Sequence, residues 1–229
     1  MATGICKLTG KRGNFVKAHI IPKALTRPAE KGLPFVQGGQ GSRPVRRWDS
    51  WYDDHLVIQA GENILTALDT WAIRELRRHE LVWSGWGPTK TLTKDHTVLP
   101  ETPYGVREIQ GIDRKKLRLF FLSLLWRAAA TGRNEFSDVV LSTDSLEKLR
   151  LMILHESVEP LSFYPAVLTQ LSTFGVIHNH TPLAKTKVVP ALAGEPERRI
   201  PIFRFYFDGL IAHVHNQASD EGYTETSIA

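Results

Sequence analysis

The chain has 229 residues, 42% of them hydrophobic and 23% charged, with a formal net charge of +5. This composition excludes a mainly disordered or fibrous chain and allows one large or two small domains. The single cysteine excludes an internal disulfide and any site that needs several thiolates. The sequence shows neither a long apolar stretch nor a signal-peptide core, so we expect a cytoplasmic protein with no membrane partner.

Residues 1–50 form a strongly basic segment. They hold ten lysines and arginines against two acidic residues, Glu30 and Asp49, whereas the rest of the chain carries 19 basic and 22 acidic residues. Clustered cations attract polyanions because phosphate neutralisation releases condensed counterions. We therefore expect nucleic acid, DNA or RNA, to bind these side chains: Lys11, Arg12, Lys17, Lys23, Arg46 and Arg47. Solubility or an acidic protein partner explains the same charge and stays open as an alternative.

The first half of the chain predicts two short strands and one long helix. Residues 5–20 are typical of two extended pieces around the turn TGKRGN. Residues 23–50 include the glycine-rich stretch GLPFVQGGQGSRP, which predicts a loop. Apolar residues recur at helical spacing between 62 and 79 and predict a helix there. The stretch LVWSGWGPTKT then predicts an extended piece.

The second half predicts two more helices and a hairpin. Residues 113–131 are apolar almost all round, with Asp113 as N-cap, which predicts a central helix. A third helix is predicted in STDSLEKLRLMILH, capped by Ser142, Thr143 or Asp144. The dipeptide Asp208-Gly209 lies between two apolar runs and predicts a hairpin turn. The tail NQASDEGYTETSIA is expected to fray.

Two stretches carry a resemblance to a known family. CKLTG…FVKAHIIPKALTR, followed by GENILTALDTWAIRELRRH, resembles HNH-type nucleases of the ββα-metal group. The similarity is greatest to the bacterial branch with a C-x-x-C…HIIP opening and a later LLC-x-x-C-E helix start. LFFLSLLWRAAA and LEKLRLMIL also resemble the carboxy-terminal half of that branch. The resemblance implies a metal-dependent endonuclease that hydrolyses phosphodiester bonds of nucleic acid.

Together these features predict an α+β fold in three parts. Residues 1–86 are expected to form an HNH-like ββα-metal unit with a basic, glycine-rich insertion. Residues 87–112 are expected to be a linker. Residues 113–229 are expected to form a mainly helical region that carries the C-terminal β-hairpin.

The resemblance also implies roles for particular residues. His19 matches the general base and Asn63 the residue that orients it. A neutral imidazole can take a proton from water while a divalent ion stabilises the phosphorane. Asp69, Glu75 and His79 on the following helix are the metal ligands implied, and oxygen ligands favour Mg2+ or Mn2+. The next candidate ligands by position are Asp54 and His55.

The chain departs from the family at the zinc ligands. The two cysteine pairs of the relatives fall on Cys6 with Thr9 and on Thr66 with Asp69. Threonine is a poor zinc ligand, so we expect no structural zinc. Packing is expected to hold the hairpin to the helix through Leu8, Phe15, Ile64 and Leu65. Ala18 stands where many relatives have a metal-binding Asp, and Thr70 where a last ligand His is expected.

Less specific interpretations stay open for most of these residues. His19 also suits a buried structural histidine, Asn63 a helix cap, and Glu75 with His79 a solvated helix face. The tripeptide His178–His180 suits a loop, and His213 and His215 suit one face of a strand. The tryptophans expected in the core or at a partner contact are Trp51, Trp83, Trp86 and Trp126. The alternative function is a catalytically inactive, HNH-derived subunit that binds nucleic acid, a protein partner or a second copy of itself, as in a phage-defence or counter-defence system.

Overall fold

The structure is a computed structural model that describes residues 2–26, 33–39, 42–92, 96–100, 104–189 and 196–216. Most of the predicted frayed tail lies outside the described residues. The described part combines three α-helices with several small sheets, which confirms the α+β class. It contains no helix that is both long and apolar enough to cross a membrane.

The helices are α1 (Gln59–Arg78), α2 (Arg114–Ala130) and α3 (Thr143–Leu154). The first six strands are β1 (Thr3–Ile5), β2 (Arg12–Asn14), β3 (Ala18–His19), β4 (Phe35–Gly39), β5 (Ser42–Arg47) and β6 (Tyr52–Asp53). The others are β7 (Thr97–Val98), β8 (Gly105–Val106), β9 (Ala166–Gln170), β10 (His178–His180), β11 (Leu183–Val189), β12 (Arg198–Phe207) and β13 (Leu210–His215).

Local capping explains where two of the helices begin. The Asp113 carboxylate accepts a 2.9 Å hydrogen bond from the Lys116 N–H at the start of α2. Ser142 is the cap of α3, and its hydroxyl accepts a 3.1 Å hydrogen bond from the Ser145 N–H. Both predicted helices are therefore confirmed. Asn63 is not a cap, because α1 already begins after Ile58.

The core surrounds α2, which packs against α1, α3 and a four-stranded antiparallel sheet of order β11-β12-β13-β9. Phe203, Phe205 and Phe207 alternate along β12, so all three lie on the same face. The rings of Phe121 and Phe207 stack with centroids 6.4 Å apart, which brings that face against α2. The predicted hairpin turn is confirmed: Asp208 and Gly209 join β12 to β13 and have φ angles of 51° and 79°.

The amino-terminal strands form two small antiparallel pairs. Strand β1 pairs with β2, and β3 pairs with β6. The turn predicted at TGKRGN is placed too late in the chain, because its last three residues form β2. The loop prediction for GLPFVQGGQGSRP is wrong over much of its length, because β4 and β5 form a hairpin there. Strand β10 adds to that hairpin in parallel with β4. This pairing gives residues 35–39 a strand partner from the carboxy-terminal half.

Three further predictions need correction. LVWSGWGPTKT contains a 3-10 turn at Trp83–Gly85, where Trp83 packs into the interior, instead of an extended piece. The segment predicted as a linker includes the β7–β8 hairpin. His178–His180 is a strand rather than a loop. Its central residue, Asn179, is buried and donates a 3.0 Å hydrogen bond to the Thr26 carbonyl oxygen.

Helix α1 approaches the β1–β2 turn closely at Gly61. Cys6 is fully buried and free, and its sulfur accepts a 3.3 Å hydrogen bond from the Thr9 N–H. A Cβ atom at position 61 would lie 2.9 Å from that sulfur and 3.0 Å from the Val57 Cβ. Gly61 of α1 therefore lies against the Cys6 side chain.

We expect the substitution Gly61→Ala to destabilise the fold by about 1–3 kcal/mol, the usual cost of overpacking a well-packed core. In an open helix interior the change from glycine to alanine would instead stabilise the protein by about 1 kcal/mol. A close contact at position 61 and an open position there therefore predict changes of opposite sign in the free energy of unfolding. Urea unfolding measures the difference, with Thr70→Ala, at an exposed position of α1, as control. A more stable Gly61→Ala protein would contradict the close approach.

Candidate nucleic-acid interface around His19

The backbone of His19 is fixed on both sides. Strand β3 pairs His19 with Tyr52, and the next residue, Ile20, donates a 3.1 Å hydrogen bond to the Trp51 carbonyl oxygen. The His19 carbonyl oxygen accepts a 3.2 Å hydrogen bond from Arg127 of α2. Ile20 and Ile21 are fully buried. The HIIP stretch therefore anchors its isoleucines in the core and leaves the His19 side chain at the surface, 24% exposed.

The His19 ring lies beside a carboxylate and an aromatic ring. Its Nε2 atom is 3.7 Å from the Asp49 Oδ1 atom, longer than a hydrogen bond. Nε2 is shielded from solvent and has no hydrogen-bond partner within the described part of the chain. The Tyr52 ring lies edge-on at 6.4 Å between centroids. This nitrogen is thus an unpaired polar atom, and water or a ligand reaches it only when neighbouring side chains move.

Two lysines bracket the Asp49 carboxylate. Lys17 Nζ lies 2.6 Å from one oxygen, and Lys23 Nζ lies 2.9 Å from the other. Desolvation raises the pKa of Asp49, but the hydrogen bonds and charges of the two lysines outweigh it and hold the pKa well below its ordinary value. The Lys17 ammonium also lies 3.9 Å from the centre of the Tyr52 ring. Asp49 therefore stays ionised and holds two cations next to His19.

Arg133 extends the basic surface on the other side of Tyr52. Its guanidinium lies 5.9 Å from the Tyr52 ring and donates a 2.9 Å hydrogen bond to the Tyr52 carbonyl oxygen. It also pairs with Glu135 at 2.7 Å. The hydrogen bond from Arg133 lowers the pKa of Glu135, with a smaller contribution from the charge of Arg47. The surface thus continues from His19 towards β5.

His19 is held in its neutral form. Desolvation lowers the pKa of His19 below 6.5. The negative charge of Asp49 acts against this shift, while the charges of Lys17 and Lys23 add to it. An imidazole with a lowered pKa is unprotonated near neutral pH and can accept a proton.

The three residues implied as metal ligands lie in ion pairs or beside one. Asp69 forms a bidentate pair with the buried Arg127, with both N–O distances 2.8 Å. Glu75 is buried and pairs with Arg74 and Arg78. The Nε2 atom of His79 lies 3.8 Å from the Glu75 carboxylate. Asp69 and Glu75 are therefore engaged with arginines of the protein, and His79 lies beside Glu75.

Asn63 is exposed on the outer side of α1. Its side-chain oxygen accepts a 2.8 Å hydrogen bond from Gln59, and it lies in a groove that Lys116 and Leu119 also line. The His19 ring, in contrast, faces Asp49 and Tyr52.

One group of possible metal ligands lies next to β3 along β6. Ligand atoms of Asp53, Asp54 and His55 all lie within 4.8 Å of one another. The buried Asp53 carboxylate, however, already accepts hydrogen bonds from the Thr131 hydroxyl at 2.6 Å and from the N–H groups of Gly132 and His55. Its main interactions therefore tie β6 to the end of α2.

The described residues around His19 do not fit a preformed magnesium or manganese site. Mg2+ is usually held by one or two carboxylates together with substrate phosphates. Asp49 is the carboxylate beside His19, and an ammonium group lies on each of its oxygens. Those ammonium groups take the positions that a bound cation would need.

The remaining predicted nucleic-acid contacts lie on the surface in two places. Lys11 and Arg12 are exposed at the β1–β2 hairpin. Arg46 and Arg47 are exposed on β5. Only Lys17 and Lys23 of the predicted set share an ion pair with the carboxylate next to His19.

Sequence reasoning missed Asp49 and Tyr52 as neighbours of His19, and Arg133 as a neighbour of Tyr52. For Asp49 a signal existed, since it is one of only two acidic residues in the basic segment. For Tyr52 and Arg133 the proximity depends on strand pairing and on the end of α2. Sequence periodicity carries no such information.

Comparison of the chain with protein-family models, with curated proteins and with solved structures found no match in any of the three. The resemblance to HNH nucleases thus stays a prediction from the sequence.

Proposed function

We propose that this protein is an endonuclease that hydrolyses phosphodiester bonds of nucleic acid at His19. The observation that carries the proposal is a neutral, half-buried imidazole whose Nε2 atom has no described partner and lies 3.7 Å from a carboxylate with two bound ammonium groups. A general base needs an unprotonated nitrogen, and a phosphodiester needs nearby cations.

The chemistry assigned to the protein's own residues is general-base hydrolysis. His19 takes a proton from a water molecule, the water oxygen forms a bond to phosphorus, and the bond from phosphorus to the leaving oxygen breaks. Lys17 and Lys23 stabilise the negative charge that builds up on the phosphoryl oxygens, and the leaving oxygen takes a proton from solvent. No step is assigned to Mg2+ or Mn2+, the cofactors implied by the resemblance, because the residues around His19 do not fit a preformed site.

Cleavage assays test the proposal directly. Plasmid, linear duplex DNA, single-stranded DNA and RNA are each incubated with the protein in EDTA, Mg2+, Mn2+ or Zn2+. New ends in at least one substrate are expected. Activity in EDTA would assign the reaction to the protein's own side chains, and activity only with a metal would assign it to a cation that enters with the substrate. No cleavage under any condition would refute the endonuclease.

A second candidate is an inactive, HNH-derived protein that binds nucleic acid. The observation that favours it is the engagement of Asp69 and Glu75 by arginines, which leaves Asp49 as the carboxylate next to His19. This candidate predicts salt-sensitive binding without cleavage. A protein-interaction role in phage defence or counter-defence remains a separate proposal, favoured by capture of a protein partner without nucleic acid.

We expect Lys17→Ala and Lys23→Ala each to weaken nucleic-acid binding several-fold at about 0.1 M salt, and to lower the slope of log K against log salt by about 1. The loss should be similar for all base sequences because phosphate contacts do not read bases. Titrations at several salt concentrations measure both quantities. Lys148→Ala, at an exposed position of α3, is the matched control. Equal salt slopes in parent and variants would contradict the assignment.

A further inference from the structure

Trp48 is the exposed tryptophan of this protein. Its relative exposure is 66%, whereas Trp51, Trp83, Trp86 and Trp126 are buried and Trp71 is partly buried. Single exposed apolar residues are normal on protein surfaces. The position of this one makes it unusual, because it directly precedes Asp49, the carboxylate beside His19.

The charge around Trp48 is suited to a polyanion. Arg46 and Arg47 precede it on β5 and are exposed. Lys17 and Lys23 lie on the carboxylate of the residue that follows it. Consecutive Cα atoms are about 3.8 Å apart, so the backbone of Trp48 lies next to that of Asp49, whose carboxylate binds both lysines. Exposed cations next to an exposed aromatic ring are the combination that binds single-stranded nucleic acid.

The same hairpin exposes further apolar surface. Val36 is 43% exposed and pairs with Arg46, so these two side chains share one face of the hairpin, whereas the 45% exposed Val45 pairs with Gln37 on the opposite face. A purely phosphate-binding surface gains nothing from apolar side chains, since phosphate contacts are made by cations and hydrogen-bond donors. Unpaired bases, in contrast, present flat apolar faces together with a charged backbone.

We propose that Trp48 stacks on an unpaired base and that the substrate at the His19 site is single-stranded nucleic acid. The inference rests on the proposed function, since it names the substrate class of that site. In a duplex the base faces are stacked on each other and are closed to an indole, whereas in a single strand every base has a free face. We place the phosphate next to that base near the Lys17–Asp49–Lys23 cluster, because Trp48 directly precedes Asp49 in the chain.

Binding titrations with three labelled probes test this proposal: single-stranded DNA, single-stranded RNA and duplex DNA of one sequence. All proteins carry His19→Gln, so that the probes are not cleaved during the measurement. Adding Trp48→Ala should weaken single-strand binding about tenfold, the scale of one lost stacking contact, with less than about twofold change for duplex. Trp48→Phe should retain most of the affinity because it keeps an aromatic face. Tyr104→Ala, which removes an exposed aromatic ring elsewhere, is the matched control.

Acrylamide quenching of tryptophan fluorescence gives a second readout. Saturating single-stranded oligonucleotide should protect the parent protein from quenching, and Trp48→Phe should abolish that protection. The DNA and RNA arms identify the sugar. Equal losses for duplex and single strand, or unchanged binding in Trp48→Ala, would overturn the proposal. Failure of the endonuclease alone would appear as intact, Trp48-dependent binding by a protein that cleaves nothing.

Discussion

Replacing Arg127 by leucine is expected to destabilise the fold by about 3–5 kcal/mol, because it leaves the Asp69 carboxylate partly buried without a counter-charge. Arg127 is 1% exposed and forms two 2.8 Å bonds with Asp69. It also donates to the His19 carbonyl oxygen and to Ser123. One guanidinium therefore joins α1, α2 and β3, and its loss should also loosen the backbone at His19.

Urea unfolding of four variants separates this explanation from a general loss of charge. Arg127→Leu with Asp69→Leu should recover much of the loss, since replacing both partners of a buried pair by apolar groups is often neutral. Arg199→Ala, which removes an exposed ion pair with Glu197, should cost less than about 1 kcal/mol. Asp69→Asn should be destabilising because Arg127 would remain buried and charged. A stable Asp69→Asn protein would instead leave Asp69 available as a metal ligand.

Sequence patterns predicted the helices well because helix signals are local. The Asp113 and Ser142 caps lie within three residues of the N–H groups that they bind. The apolar pattern of residues 113–131 indicated burial on all sides, and α2 is buried along most of its length. Such features depend on neighbours a few residues apart, which periodicity and capping rules describe.

The β4–β5 hairpin escaped prediction because its stability depends on a distant partner. Its glycine-rich tip is typical of a loop, while β10, the strand that pairs with β4, lies in the other half of the chain. Tyr52 was missed as a neighbour of His19 for a similar reason, since strand pairing of β3 with β6 brings them together. Asp69 was chosen for its residue type alone. Its partner Arg127 lies 58 residues further along the chain, where no local signal indicates the pair.

The substitution His19→Gln is expected to reduce nucleic-acid cleavage by about 10²–10⁴-fold, the usual contribution of a general base. Glutamine keeps a polar side chain of similar size but accepts no proton near neutral pH. The measurement is the initial cleavage rate on the best substrate at saturating concentration. His155→Gln changes an exposed histidine at the end of α3 and should leave the rate unchanged. Parent-like cleavage by a folded His19→Gln protein would remove His19 from the reaction.

The pH profile separates a base from a residue that only supports the fold. Because the pKa of His19 is lowered by desolvation and by the two lysines, the rate should stay high to below pH 6.5 and fall as the ring protonates. Lys23→Ala removes a charge that lowers this pKa, so the acid limb should move to higher pH. Asp49→Asn removes the charge that raises it, so the limb should move to lower pH. Opposite shifts from two substitutions of opposite charge are expected only if the titrating group lies near both side chains, as the His19 imidazole does.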